Sequence, residues 1–157
     1  MAIERAREWL RQFDLDGRIR EFEVSSATVT LAAEAAGVIP ARIAKSMSFM
    51  TPEGPILVLA AGDMKIDNPK FKAQFHTKAK MIGLDEVEGL VGHGVGGVCP
   101  FGIEPGVRTW LDVSLKRFDT VFPACGSANS AVELSCDELA RAAQNFEGWV
   151  DVCKTAN

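Results

Sequence analysis

Residues 44–61, AKSMSFMTPEGPILVLAA, decide the fold of this chain. A strand is predicted from Ala44 to Thr51, because small residues alternate with larger ones through Phe49, which is the period of a β-strand with two different faces. The sequence Pro-Glu-Gly-Pro follows at 52–55 as a strong turn signal, and residues 56–61 form a continuous apolar run. This stretch therefore predicts a β-hairpin whose second strand is apolar.

Helices and short strands are predicted on both sides of the hairpin. The second helix ends at Gly37, and its N-cap is a hydroxyl side chain, for which the candidates are Ser25, Ser26 and Thr28. The last helix begins after Ser135, which opens a capping box. The other predicted elements are a first helix at 3–13, strands at 18–24, 107–113, 120–124 and 131–134, and short helices beginning at Asn68 and Asp85.

The length and composition are those of an ordinary globular chain. With 157 residues, of which 47% are hydrophobic and 24% charged, the sequence fits a single domain spanning residues 1–157. Interleaved helices and strands predict a mixed α/β fold around one mainly antiparallel or mixed sheet. The longest apolar run is far below the roughly 20 residues of a membrane span, and no signal-peptide pattern is present. We therefore expect a cytoplasmic protein with no membrane partner.

The sequence is poor in residues for metal and thiol chemistry. It has two histidines and four cysteines, and no C-x-x-C pair brings two cysteines together. This pattern argues against a zinc site and a Ser-His-Asp arrangement, so we expect no metal, no cofactor and reduced thiols. Cys99 beside Pro100 invites a nucleophile interpretation, but a buried structural cysteine is the commoner outcome. His93 is better interpreted as a hydrogen-bonding group that fixes a loop.

Charge is distributed unevenly along the chain. The net charge of −4 argues against a protein that coats nucleic acid nonspecifically, and DNA is not an expected partner. Between residues 65 and 80, however, five lysines accompany a single acid, Asp67. This lysine cluster could attract a phosphate backbone or simply form a solvated surface, and both interpretations stay open. Its members are Lys65, Lys70, Lys72, Lys78 and Lys80.

Two further features are candidates for chemistry. Residues 92–102, GHGVGGVCPFG, hold five glycines and a proline, but they match neither G-x-G-x-x-G nor a Walker loop. Such glycines let a ligand approach backbone N–H groups closely, which can stabilise an oxyanion, although a tight turn would need the same residues. Lys45, inside the alternating strand, projects either toward a cleft or toward solvent.

Five short motifs follow one another along the chain: IAKS at 43–46, AAGD at 60–63, GGVCPFG at 96–102, GSAN at 126–129 and VELS at 132–135. In this order and spacing they resemble the YbaK/ProX family of freestanding aminoacyl-tRNA editing domains, which is related to the insertion domain of bacterial prolyl-tRNA synthetase. The resemblance covers roughly residues 20–150. It implies a compact α/β fold with a barrel-like mixed sheet surrounded by helices, and a trans-editing deacylase that hydrolyses the ester of mischarged tRNA.

The resemblance also implies roles for individual residues. Lys45 matches the lysine beside the terminal adenosine and the aminoacyl group. Gly96 and Gly97 match the element whose backbone lies at the scissile carbonyl. Water, aligned by backbone donors and assisted by a tRNA hydroxyl, would then suffice to attack the ester. The acceptor stem would meet the lysine cluster, and the expected substrate contacts are Val98, Pro100, Ser127 and Asn129.

The cleared amino acid is expected to be small: alanine, serine, threonine or cysteine, carried on proline tRNA. Family members that clear cysteinyl-tRNA have an acidic residue where this chain has Ala131 and a serine where it has Ala124, which counts against cysteine. A synthetase is a further candidate partner beside the acceptor end of aminoacyl-tRNA. Two alternatives remain open: a non-catalytic module that binds aminoacyl-tRNA, a synthetase or a small nucleotide in the same cleft, and a structural protein whose glycine loop is a turn.

Overall fold

A six-stranded mixed sheet dominates the computed structural model, which describes residues 2–156. Its strands are β2 (Ile43–Thr51), β3 (Gly54–Ala61), β5 (Arg108–Asp112), β6 (Thr120–Pro123), β8 (Leu134–Ser135) and β9 (Phe146–Val150), in the spatial order β8-β6-β2-β3-β5-β9. Two small antiparallel sheets pair β1 (Ile19–Glu21) with β7 (Ser130–Val132), and β4 (Met64–Ile66) with β10 (Cys153–Thr155). The helices are α1 (Ala2–Arg11), α2 (Val29–Ala36), α3 (Asn68–Phe75), α4 (Val87–Val91) and α5 (Cys136–Ala142). The sheet curls into a half-barrel, which confirms the mixed α/β prediction.

The predicted hairpin forms the centre of this sheet. β2 and β3 pair from Ala44 opposite Ala61 to Thr51 opposite Gly54. On β3, Leu57, Leu59 and Ala61 belong to the main core, while the alternate residues Ile56, Val58 and Ala60 pack in a second core with Phe71 of α3. The apolar run is continuous because both faces of β3 are covered.

The capping residues place the helix ends where the sequence predicts them. The Thr28 side chain accepts a hydrogen bond from Leu31 N at 3.2 Å and so begins α2, while Gly37 ends it with a φ of 75°. Ser135 and Glu138 make both hydrogen bonds of the capping box at the start of α5. Of the three candidate caps for α2, the structure selects Thr28, which leaves the Ser26 side chain free for another role.

Several elements differ from the sequence-based prediction. The strand predicted at 131–134 is divided between β7, which pairs with β1, and β8, which pairs with β6. The helix predicted from Asp85 begins at Val87. β4, β9 and β10 were not predicted, because two of them are three-residue strands and β9 contains Gly148 beside a register shift against β5. No helix within residues 2–156 has the length and apolar character needed to cross a membrane.

The strand pairing along one edge of β2 is interrupted, and the interruption leaves a gap in the sheet. β2 and β6 pair in parallel at Ile43 with Phe122 and at Ala44 with Pro123, and then the two strands separate. Farther along β2, residues 80–82 take the same edge, since Ile82 N donates to Ser48 O at 3.0 Å and Met50 N donates to Lys80 O at 2.9 Å. Between these two pairings, a gap opens beside Ser46.

Candidate functional site

A cavity of about 210 Å³ occupies the gap beside β2. One wall comes from the segment that leads into α2, and a second comes from the glycine loop and the chain that follows β6. The lining is mostly small or apolar, and Lys45 is the one charged residue among the residues that line it. The lining residues include Ser26, Lys45, Ser46, Gly96, Val98 and Ala131.

The glycine loop contributes Val95, Gly96 and Val98 to the lining of this cavity. Gly96 has a φ of 85°, in the left-handed region that favours glycine. Within residues 2–156, the amides of Gly96 and Val98 donate no hydrogen bond to another protein group. The amide of Gly97 is used, because it donates to Gly94 O at 3.0 Å, and Gly97 O accepts from Gly126 N at 3.0 Å. Gly97 thus closes the turn, while Gly96 and Val98 keep their donors available.

Buried contacts hold the loop in this shape. His93 Nε2 lies 2.6 Å from Phe101 O, and burial lowers the pKa of His93, so the ring is neutral at physiological pH and donates to this carbonyl. Burial raises the pKa of the Cys99 thiol to about 12. A thiol with this pKa is protonated at neutral pH and is not activated as a nucleophile. The geometry agrees with the interpretation of His93 as a loop-fixing group.

Lys45 lies half-buried on the wall of the cavity. Its Nζ donates to the carbonyl of Met64, and burial lowers the pKa of the amine, while the nearby Asp63 carboxylate favours the charged form. Asp63 is itself held by two hydrogen bonds from the Arg117 guanidinium, at 3.0 and 2.6 Å, which lower the pKa of the carboxyl. Because neighbouring residues of a strand point to opposite faces, the Lys45 side chain lies on the other face of β2 from Ser46.

Two serines that line the cavity have hydroxyls without hydrogen-bond partners. The Oγ atoms of Ser26 and Ser46 are buried, and neither makes a hydrogen bond within residues 2–156. Sequence reasoning missed both as site residues. The signal in β2 was the pair Ser46 and Ser48 on the same strand face as the buried Ala44. No local signal marked Ser26, because its position depends on where the chain before α2 packs.

Three of the predicted contact residues lie outside the lining of the cavity. Ser127 Oγ donates to Asn129 Oδ1 at 2.9 Å, and Asn129 Nδ2 donates to Phe22 O at 3.0 Å. Pro100 is buried, and its carbonyl accepts from Gln144 N at 2.8 Å. These residues connect the loops behind the site, whereas Val98, the fourth predicted contact, does line the cavity.

The lysine cluster is exposed, and one end of it adjoins the cavity mouth. All five lysines are exposed, and Lys70 is paired with Asp151 at 3.1 Å. Lys80 immediately precedes Met81, which lines the cavity. Met81, Leu84 and Val95 line it while remaining 64%, 76% and 58% exposed, and we call these three residues the apolar rim. In the part of the chain that the structure describes, no three His, Cys, Asp or Glu side chains converge as metal ligands.

The fold is a mixed α/β domain with a cavity at a break in its sheet. Residues 23–142 match the model of the family described as the aminoacyl-tRNA editing domain, and the chain therefore belongs to this family. This result confirms the resemblance inferred from the five motifs.

The similarity to known proteins covers almost the whole chain. A Bacillus subtilis (strain 168) protein, YwhH, described as uncharacterized, is 51% identical over 156 residues that cover 98% of each chain. Among solved structures, a candidate trans-editing enzyme for prolyl tRNA synthetase is 25% identical with a TM-score of 0.86, covering 98% of this chain and 97% of its own. The hypothetical protein APE2540 is 27% identical with a TM-score of 0.81, covering 94% of this chain and 97% of its own.

Proposed function

We propose that this protein is a cytoplasmic trans-editing deacylase, acting as one domain, that hydrolyses the ester between a wrong, small amino acid and proline tRNA. Membership of the editing-domain family supports the reaction class, and the solved structure of a candidate trans-editing enzyme for prolyl tRNA synthetase supports the choice of tRNA. The observation that supports the proposal is that Lys45, Gly96 and Val98 line one cavity, and that the amides of Gly96 and Val98 have no hydrogen-bond acceptor among the described residues.

The chemistry needs no nucleophile from the protein. Water attacks the carbonyl carbon of the ester, and the negative charge that develops on the carbonyl oxygen accepts hydrogen bonds from the amides of Gly96 and Val98. The bond from the carbonyl carbon to the ribose oxygen then breaks. A neighbouring tRNA hydroxyl passes one proton of the water to that ribose oxygen, and the amino acid leaves as a carboxylic acid whose remaining proton goes to solvent. Gly97 supports this step indirectly, because its own hydrogen bonds shape the turn.

Lys45 supplies positive charge beside the terminal adenosine. Its stem is half-buried in the sheet, so the ammonium is held close to one position and little conformational freedom is lost when substrate binds. The hydrogen bond to the Met64 carbonyl keeps the group at the cavity wall until a substrate oxygen competes for it. The residue thus binds and orients the substrate, and it does not exchange protons with it.

The cavity mouth suits the acceptor end of tRNA. The apolar rim offers the terminal base a surface for stacking, and Lys78 and Lys80 lie on the segment that leads into it. The rest of the lysine cluster, Lys65, Lys70 and Lys72, lies on β4 and α3 and would meet the phosphates of the stem. Ser127, Asn129 and Pro100 would support the loops that bound the site, and a synthetase partner remains a prediction.

A deacylation assay tests the proposal directly. Proline tRNA charged with alanine, serine, threonine or cysteine is incubated with the wild type and with Lys45→Met, and the surviving ester is counted over time. We expect the wild type to accelerate the loss of at least one ester and Lys45→Met to do so at least about tenfold more slowly. Retarded ester loss would instead identify a module that binds aminoacyl-tRNA without cleaving it. No effect on any ester would contradict both functions.

A further inference from the structure

The two unpartnered hydroxyls of Ser26 and Ser46 come from separate parts of the chain and line the same cavity. Ser26 is 6% exposed, and its backbone is fixed by a hydrogen bond of 2.6 Å from its amide to Ala128 O. Ser46 lies in the middle of β2, opposite Leu59 of β3. Both side chains are therefore carried by backbone that the fold holds in place.

Two other hydroxyls on the same walls, those of Thr28 and Ser130, have partners. Thr28 Oγ1 accepts from Leu31 N at 3.2 Å, and Ser130 Oγ bonds to Ser127 Oγ at 2.8 Å. Buried hydroxyls in proteins are normally hydrogen-bonded, since leaving one unpaired costs the hydrogen bonds that water would supply. Among the unpartnered buried hydroxyls of residues 2–156, those of Ser26 and Ser46 belong to residues that line this cavity.

Besides its hydroxyl, Ser46 has backbone N–H and C=O groups at the edge of β2. On this edge of β2, Ser48 accepts from Ile82 and Met50 donates to Lys80, and in an antiparallel hairpin alternate residues direct N–H and C=O to the same edge. The N–H and C=O of Ser46 therefore face the gap between β6 and residues 80–82, where the strand pairing is interrupted. This one residue presents a hydroxyl, a donor and an acceptor at the cavity.

We infer that Ser26 and Ser46 select an aminoacyl group with a short hydroxyl side chain, serine or threonine, over alanine. The inference rests on the proposed function. A substrate hydroxyl can donate to one serine and accept from the other, whereas the methyl group of alanine would leave both unpaired. Sites built to hydrogen-bond a substrate hydroxyl reject the analogue that lacks it much more strongly than apolar pockets separate similar sizes. A thiol, as a weak donor and weak acceptor, satisfies the pair less well.

The test compares seryl and alanyl esters on the same proline tRNA, so that contacts to the tRNA body cancel. We measure kcat/KM for the wild type, Ser26→Ala, Ser46→Ala and the double variant. The wild type should prefer the seryl ester by about tenfold or more. Each single variant should lower the seryl value by about five- to tenfold and leave the alanyl value within about twofold, and the double variant should bring the ratio near one.

Ser25→Ala is the matched control. Ser25 adjoins Ser26, but its hydroxyl accepts from Ala27 N at 3.2 Å, and the residue does not line the cavity. The seryl to alanyl ratio should be unchanged in this variant, and thermal melting of each protein checks that it folds.

The outcomes separate the inference from the proposed function. Equal losses for both esters in the serine variants would place the hydroxyls against the ribose or the α-amino group and overturn the inference, while deacylation itself would stand. A wild-type ratio near one would overturn it as well. If the wild type accelerates the loss of neither ester nor of any other in the panel, the proposed function fails and the inference fails with it.

Discussion

A Cβ atom placed on Gly97 would lie 2.5 Å from the carbonyl carbon of Gly126, so the two backbones are in contact with no space for a side chain. The hydrogen bond from Gly126 N to Gly97 O joins the same two residues. The glycine loop is therefore held against the segment after β6 by backbone alone. Because Gly96 precedes this contact directly, the position of its amide beside the cavity depends on it.

Gly96→Ala tests the role of the loop backbone. Alanine at a φ of 85° is strained, and its Cβ would lie 3.1 Å from that of Ala27 and 3.2 Å from that of Ala128. We expect kcat/KM for deacylation to fall at least about tenfold and the free energy of unfolding, from urea denaturation, to fall by about 1–2 kcal/mol. Gly106→Ala is the control, since nothing lies within 4 Å of its added Cβ, and it should change neither quantity. Full activity in Gly96→Ala would place the reaction away from this loop.

Lys45→Met should slow deacylation at least about tenfold without lowering the melting temperature. Methionine keeps most of the apolar stem that packs in the sheet and removes an amine whose charged form is disfavoured by burial. A variant that unfolds more readily and is inactive for that reason would contradict this expectation, and circular dichroism melts beside the activity assay distinguish the two cases.

The wild type and Lys45→Met should differ in how their free energy of unfolding depends on pH. Burial lowers the pKa of Lys45, so above this lowered value the folded protein has released a proton that the unfolded chain still binds. The wild type should therefore gain stability as pH rises from the folded pKa toward the ordinary lysine pKa, and Lys45→Met should lack this gain. Urea denaturation of both proteins from pH 7 to 10 measures the difference, and parallel curves would show that Lys45 is not desolvated.

Cys99→Ala should retain deacylase activity within about twofold, since the attacking group is water and the Cys99 thiol, with a pKa of about 12, stays protonated. Steady-state kinetics on the preferred ester checks this. Iodoacetamide should also fail to modify Cys99 at pH 7 in the folded protein, as mass spectrometry of the peptides would show. Complete loss of activity in a folded Cys99→Ala protein would identify the thiol as the nucleophile after all.

Charge reversal at the cavity mouth should weaken tRNA binding. For Lys78→Glu with Lys80→Glu, we expect lower affinity and a slope of log K against log salt that is reduced by about one per lysine. Lys70→Glu should have a smaller effect, because Lys70 is already paired with Asp151. Arg141→Glu on α5, which contributes no residue to the cavity, controls for net charge when effects are compared per reversed residue. Equal weakening by all three changes would show that the lysine cluster has no specific role.

Local chemistry made part of this structure predictable. The β2–β3 hairpin, the glycine end of α2 and the capping box of α5 are each determined by a few neighbouring residues, and all three are present. β9 was missed because Gly148 interrupts its pattern and its partner β5 is distant in sequence. Pairing of this kind depends on packing between elements, which no local pattern encodes.

Part of the candidate site was also predictable from the sequence. Lys45, Gly96 and Val98 were identified from the sequence, and the fold brings all three to the cavity. Ser26 and Ser46 were not, because their meeting requires the separation of β2 from β6 and the selection of Thr28 as the cap of α2. Both requirements are properties of the folded chain.

Helix α1 lies outside residues 23–142, the segment that matches the family. It nevertheless packs against Gly102, at the end of the glycine loop, and against Gly126, which is hydrogen-bonded to that loop. Cβ atoms on Gly102 and Gly126 would lie 2.6 Å from the carbonyl oxygens of Arg5 and Ala2, respectively, and the Arg5 guanidinium contacts Gly92 O and Glu104. A chain shortened to the matched segment would thus keep every residue that lines the cavity and lose the surface against which its loop is pressed. The packing that holds the loop therefore extends beyond the segment that matches the family.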